Sequence, residues 1–141
     1  MFSKHDLEKL SDKRWRLCHL YHIIDKRGHI GIFEPNDEQW ELFERYEEKK
    51  KAGGEYGLRE YILKDRQIGI TTFHCLYYLD EVIFNRGRSA AIIAHDKDSL
   101  EKIFKKVKLA WEMMDPRIKP KASTENVREL EFKEIHSSIY I

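Results

Sequence analysis

The sequence predicts a mixed α/β fold in which a parallel sheet is preceded by an N-terminal helix and a β-hairpin. Residues 61–63 and 89–94 are short apolar runs without alternation, which is typical of strands buried on both faces of a parallel sheet. Between them, residues 71–84 are long and apolar enough to form a crossover helix. A strand, a loop, a helix and a second strand in this order form the unit from which α/β domains are built.

The first half of the chain contains a predicted helix, a hairpin and a second helix. Leucine and tryptophan side chains recur at roughly helical spacing over residues 4–20, so we expect a short amphipathic helix there. The next residues predict two short strands around a turn that contains Gly28. Asn36 can cap the helix that follows, and Gly53 with Gly54 can end it.

The second half ends in a further helix and a second hairpin. Either Asp96 or Asp98 can cap a helix that runs to about Met114 with apolar residues on its inner side. Residues 129–135 alternate between charged and apolar side chains, and residues 136–141 end in an apolar strand. These two segments therefore predict an antiparallel pair of strands.

Composition narrows the class of protein. A chain of 141 residues with 41% hydrophobic residues is long and apolar enough to form a core, which argues against global disorder. The net charge of +1 gives no overall positive excess that would indicate nucleic-acid binding. No apolar stretch approaches the ~20 residues of a membrane span, and Cys18 and Cys75 suit reduced thiols. We therefore expect a soluble, cytoplasmic protein without a membrane partner.

The most informative segment is the loop ILKDRQIGITT, residues 62–72, between the first predicted strand and the crossover helix. A phosphate site at such a junction needs backbone N–H groups at a helix N-terminus, a glycine, a cation and a hydroxyl group for Mg²⁺. Gly69 can be the glycine and Thr71 can supply the hydroxyl, with Thr72 next to it. The loop therefore has most of the parts of a phosphate-binding loop.

The standard pattern GxxxxGK[ST] is nevertheless not satisfied, because Ile70 stands where the lysine is required. Lys64 and Arg66 stand on the other limb of the same loop, and either can take the cationic role. By themselves these residues favour an ordinary strand-to-helix turn. The flanking segments decide between the two interpretations.

Residues 64–72, KDRQIGITT, resemble the deviant loop [K/A]-x-R-Q-x-G-x-[ST]-T of phage large terminases, the ATP-driven motors that package DNA into capsids. Residues 33–39 resemble the segment F-x-P-N-x-x-Q, which lies on the adenine side in that family. Residues 90–95 resemble its second core strand, and residues 135–141 resemble its strand E-I-N-S-x-I-x-V. The resemblance implies a P-loop NTPase-type parallel-sheet core, incomplete in this chain.

The resemblance also implies ATP and Mg²⁺ as cofactors and assigns residues to them. Arg66 and Lys64 would be the phosphate cations, and Thr71 would be the magnesium ligand. Gln39 would pair its amide with the adenine edge, although a surface position on a helix explains the same residue. The full set implied in nucleotide binding is Gln39, Lys64, Arg66, Gln67, Gly69, Thr71 and Thr72.

The catalytic half of such a site is not found in the sequence. A P-loop motor needs an apolar strand ending in Asp-Glu, and the candidate pair Asp80-Glu81 follows Thr72 too closely for a separate parallel strand. We place that pair in the crossover helix and predict no catalytic residue within this chain. We expect residues 1–57 to carry the helix, hairpin and adenine-side segment, and residues 58–141 the first part of one ATPase core, truncated before the Asp-Glu strand.

For the full-length family, the resemblance implies double-stranded DNA, a portal protein and a small terminase subunit as partners, and a homo-oligomeric ring. Two alternatives stay open: an inactive prophage-derived terminase fragment, or another P-loop DNA translocase or helicase-like ATPase. The isoleucine at position 70 argues against a helicase. Lys102, Lys105, Lys106 and Lys108 give one helix a basic surface, which we interpret as a solvated face in preference to a DNA track.

Overall fold

The computed structural model describes residues 2–53, 59–63 and 69–141, which form a mixed α/β fold. The predicted combination of helices and strands is confirmed, whereas the described sheet is mixed and contains one parallel pair. The predicted nucleotide-binding residues Lys64, Arg66 and Gln67 lie outside the described residues. Within the described ranges, no helix is both long and apolar enough to cross a membrane.

The N-terminal segment forms two short helices. α1 spans Lys4–Ser11 and α2 spans Lys13–His19. Asp12, between them, has an extended backbone (φ −88°, ψ 110°), and its carboxylate accepts the backbone N–H of Arg14 at 2.9 Å. The predicted single helix over residues 4–20 is therefore wrong at this point, because Asp12 caps a new helix instead of continuing the first one.

The predicted hairpin is confirmed. β1 (His22–Ile24) pairs antiparallel with β2 (Ile30–Ile32), with Ile23 opposite Gly31. Gly28 has φ of 84°, which lies in the left-handed region that glycine adopts without steric cost. The side chain of one turn residue, Asp25, accepts two backbone N–H groups at 2.7 and 2.9 Å and stabilises the turn.

The three longer helices follow the predicted positions. α3 spans Asp37–Gly53 and begins after Asn36, and α4 spans Ile70–Phe84. α4 connects no pair of described parallel strands, because residues 61–63 before it form no strand, so its predicted role as a crossover is wrong. α5 spans Lys97–Glu112. Of the two predicted caps for α5, Asp96 is the one used, since its carboxylate accepts a first-turn N–H at 2.8 Å.

The main sheet has four strands in the order β3-β6-β5-β4. β3 is parallel to β6, whereas β5 is antiparallel to both of its neighbours. A 3₁₀ helix, Lys133–Ile135, joins β5 to β6 in the predicted C-terminal pair. The strands are β3 (Ser89–Ala91), β4 (Thr124–Glu125), β5 (Glu129–Phe132) and β6 (Ser137–Tyr140).

One face of this sheet carries the core. Leu130, Phe132 and Ile139 alternate along β5 and β6 with more exposed residues, and each of the three is fully buried. α4 packs on β3 and β6, while the Trp111 ring of α5 lies 6.2 Å from the Phe132 ring. α4 also contacts α5 and α2, so it lies at the centre of the fold.

Two predicted buried strands are corrected by the structure. Residues 61–63 form no strand, and Tyr61 and Leu63 are fully exposed. β3 is shorter than the apolar run 89–94, and Ile93 is 91% exposed. Among the described strands β3 pairs only with β6, and helices cover one of its faces. The lack of alternation over residues 89–94 therefore did not indicate a strand buried on both faces.

Candidate functional site

The first turn of α4 follows the predicted phosphate-binding loop directly. Gly69 precedes the helix with φ of 75° and ψ of 10°, and no side chain of the described residues caps the helix end. The first bond of the helical series joins the N–H of Phe73 to the carbonyl of Gly69 at 3.0 Å. Among the described residues, the N–H groups of Ile70, Thr71 and Thr72 have no hydrogen-bond partner. These three donors point toward the helix N-terminus, where the helix dipole favours an anion.

Gln39 joins the start of α3 to the start of α4. Its backbone N–H donates to the Asn36 side-chain oxygen at 2.9 Å, and its own Oε1 accepts the Asn36 N–H at 3.0 Å. Its Nε2 donates to the carbonyl oxygen of Gly69 at 2.9 Å. Gln39 is only 4% exposed, so the residue predicted on the adenine side is packed against the glycine of the loop.

This contact explains why position 69 is a glycine. A Cβ atom at this position would lie 2.6 Å from Nε2 of Gln39, well inside van der Waals contact. The positive φ also disfavours any residue with a Cβ. The two constraints are independent, and Gly69 satisfies both.

Thr71 lines a mainly apolar groove of about 450 Å³ between α4 and β3. Ile62 and Ile92 contribute to its walls, and His74 lies one turn further along α4. Burial lowers the pKa of His74, which favours the neutral ring. In that form Nδ1 donates to the carbonyl of Ile70 at 2.9 Å, and Nε2 accepts from a tyrosine hydroxyl of α3 at 2.8 Å. His74 therefore holds the first turn of α4 in place through hydrogen bonds.

Thr72 faces a different groove, of about 300 Å³, between α4, α5 and the hairpin. Lys106 of α5 donates from its ammonium group to the Thr72 hydroxyl oxygen at 2.9 Å. Lys102 and Lys105 line the same groove, together with apolar side chains that include Leu109, and no carboxylate in the described part of the chain does. The two adjacent threonines of the loop motif thus lie in chemically different surroundings.

The Asp80-Glu81 pair lies within α4, as predicted, and both carboxylates have structural partners. Asp80 is fully buried, and its two oxygens accept from Nε and Nη2 of Arg16 at 2.9 and 2.7 Å. The hydroxyl of Tyr21 donates to Asp80 at 2.7 Å. Burial, together with the Asp80 charge, raises the pKa of Tyr21 well above its usual range.

Glu81 is held by two lysines. Lys50 of α3 donates to it at 2.6 Å, and Lys13 of α2 makes a second ion pair. Burial alone would raise the pKa of Glu81, but the two ammonium groups outweigh that effect and lower it to about 2. Burial lowers the pKa of Lys13, although its carboxylate neighbours oppose that shift. This cluster fastens α2 and α3 to α4.

These charged contacts are not apparent from the sequence alone. The available signal was the acidic pair Asp80-Glu81 within the mainly apolar residues 75–84, since a buried carboxylate requires a cationic or hydrogen-bonding partner. Its partner Arg16 lies 64 residues away in the sequence. Only the packing of α2 against α4 identifies that residue.

Of the predicted site residues, the structure brings Gln39 and Gly69 into contact and places Thr71 and Thr72 in the adjoining helical turn. Among the residues that the structure describes, no group of three or more His, Cys, Asp or Glu side chains could hold a metal ion. The role of Thr71 toward Mg²⁺ stays a prediction. In comparisons with known proteins, neither a protein-family model nor a curated protein sequence matches this chain.

Proposed function

We propose that this chain is the ATP-binding N-terminal portion of a viral DNA-packaging motor of the large-terminase type. The observation that carries the proposal is the N-terminus of α4, where Gly69 and three backbone N–H groups without partners among the described residues follow a terminase-like loop sequence. Such an arrangement suits a phosphate group because the donors converge at the positive end of a helix dipole.

The proposal gives roles to the other residues of the motif. Gln39 is buried, and its amide bonds to the Gly69 carbonyl and the Asn36 N–H, so it holds the end of the phosphate loop against α3. Pairing of this amide with an adenine edge would require these bonds to be exchanged. In the proposal Thr71 is the hydroxyl ligand of Mg²⁺, and Lys64 and Arg66 neutralise the phosphates. Mg²⁺, when bound, would add charge neutralisation between phosphate oxygens.

The proposal assigns nucleotide binding to this chain and hydrolysis to the complete motor. Glu81 of α4 is not available to activate water, because Lys13 and Lys50 engage its carboxylate. In the complete motor, ATP hydrolysis would drive double-stranded DNA into a procapsid in the bacterial host cytoplasm. The portal protein, the small terminase subunit and a homo-oligomeric ring belong to that larger proposal.

Nucleotide binding is tested by titrating the folded chain with a fluorescent ATP analogue in the presence of Mg²⁺. Arg66→Ala or Lys64→Ala should weaken binding by on the order of tenfold or more, the effect of losing one hydrogen bond to a charged group. Thr71→Ala should weaken the binding only when Mg²⁺ is present, whereas Thr71→Ser should retain it.

A matched control is Lys97→Ala, because Lys97 is exposed on α5 and its ion-pair partner within the described ranges is Glu101 of the same helix. It should bind like the wild type. If the folded wild-type chain shows no saturable binding, the proposal is wrong and an inactive prophage-derived fragment explains the sequence better.

A further inference from the structure

Three lysines of α5 line one side of the groove next to the first turn of α4, and this side is called the positive wall below. Lys102, Lys105 and Lys106 are spaced at i, i+3 and i+4, so they share one face of the helix. None of the three has a carboxylate partner among the described residues. The other two lysines of the helix do have partners: Lys97 with Glu101 and Lys108 with Glu125.

Three neighbouring cations without counter-charges repel one another, and an anion in the groove would relieve that repulsion. The groove volume of about 300 Å³ is within the range of small-ligand sites. Ile23, Ile24 and Leu109 form its apolar side. The uncompensated charge and the size of the groove therefore favour a compact anion.

Lys106 contacts the first turn of α4 directly. Its ammonium group donates one hydrogen bond, 2.9 Å long, to the Thr72 hydroxyl. An ammonium group has three donors, so this bond leaves hydrogens for a second acceptor. Thr72 belongs to the turn whose backbone N–H groups point out of α4, and Ile70 occupies the lysine position of the loop pattern.

We infer that Lys106 supplies, from α5, a phosphate-binding cation that the loop does not provide at Ile70. Lys102 and Lys105 extend the same positive wall along the phosphate chain of the nucleotide. The inference rests on the proposed function, because the phosphates that Lys106 would contact are those of the proposed nucleotide. It makes Lys106 a binding residue for the triphosphate at the first turn of α4.

The test compares the affinity of wild type, Lys106→Ala, Lys106→Arg and Lys97→Ala for the fluorescent ATP analogue with Mg²⁺, at low and at high salt. Lys106→Ala should weaken binding by on the order of tenfold at low salt. It should also reduce the salt dependence of the dissociation constant, because one screened charge contact is removed. Lys106→Arg should restore most of the affinity, and Lys97→Ala should behave as wild type.

A purely structural role for Lys106 gives a different pattern. Thr72→Val removes the hydroxyl that accepts from Lys106 but keeps the shape of the side chain, and far-UV circular dichroism verifies that each variant is folded. If Lys106 only joins α5 to α4, Thr72→Val and Lys106→Ala should lower the affinity equally and leave its salt dependence unchanged. That result overturns the inference.

The two proposals fail in distinguishable ways. Absence of binding by the folded wild type contradicts nucleotide binding altogether, and with it the role of Lys106. Binding by the wild type that Lys106→Ala changes by less than about twofold contradicts the role of Lys106 alone, since loss of a charge-assisted contact has a larger effect.

Discussion

Replacement of Gly69 by alanine tests the contact that joins the two predicted halves of the candidate site. The added Cβ meets Nε2 of Gln39 at 2.6 Å, and the residue must keep φ of 75°. Gln39 cannot move away without cost, because it is buried and its Oε1 accepts the backbone N–H of Asn36. We therefore expect two separate destabilising effects at this position.

The cost of the left-handed backbone conformation alone can be measured by replacing Gly28 with alanine. Its φ is 84° and a Cβ there meets no atom within 4 Å, so Gly28→Ala reports the left-handed conformation without a clash. That conformation costs an L-residue about 1–2 kcal/mol, partly offset by about 0.4–1 kcal/mol from the less flexible unfolded chain. Gly69→Ala should cost about 1–3 kcal/mol more than Gly28→Ala, the range for leaving a buried polar group unsatisfied.

The free energy of unfolding is obtained from urea titration followed by far-UV circular dichroism for the wild type and the two alanine variants. Gly69→Ala is then measured in a Gln39→Ala background, where the clashing atom is absent. There its cost should fall to that of Gly28→Ala. If Gly69→Ala and Gly28→Ala cost the same in the wild-type background, Gln39 does not constrain position 69 and our account of the contact is refuted.

Two further predictions concern the charges buried around α4. Asp80→Asn should lower the free energy of unfolding by about 3–5 kcal/mol, because it leaves the Arg16 guanidinium buried without a counter-charge; a loss below about 1 kcal/mol in urea titration would contradict this. Tyr21→Phe, which removes only one hydrogen bond to Asp80, should cost about 1–2 kcal/mol by the same assay and is informative even if the first variant does not fold. The pKa of Glu81 is lowered from 4.5 to about 2, so its ion pairs stabilise the fold above pH 4.5 and are lost as the pH falls toward 2. Glu81→Gln should remove up to about 3 kcal/mol of this pH-dependent stability. The plot of unfolding free energy against pH should then be flatter between pH 4.5 and 2. An unchanged slope in this acidic range would refute the role assigned to the pair with Lys50.

Much of the fold follows from short-range signals in the sequence. Gly28 in a turn predicted the hairpin, Asn36 and Asp96 predicted helix starts, and alternation over residues 129–135 predicted a strand. Each of these signals acts through hydrogen bonds or steric limits within a few residues. The run of residues 61–63 was misassigned because an apolar triplet specifies neither a strand nor its burial.

The contacts of the candidate site depend on tertiary packing. The bonds Gln39–Gly69 and Lys106–Thr72 span 30 and 34 residues of sequence. Each brings together residues from separate helices whose mutual orientation is set by the burial of apolar side chains across the whole core. The sequence by itself identified the glycine and the threonines of the loop and the lysines of α5, because the type and spacing of residues can be seen without a structure. Only the packing of α3 and α5 against α4 decided which of them meet, because that arrangement minimises exposed apolar area over the entire fold.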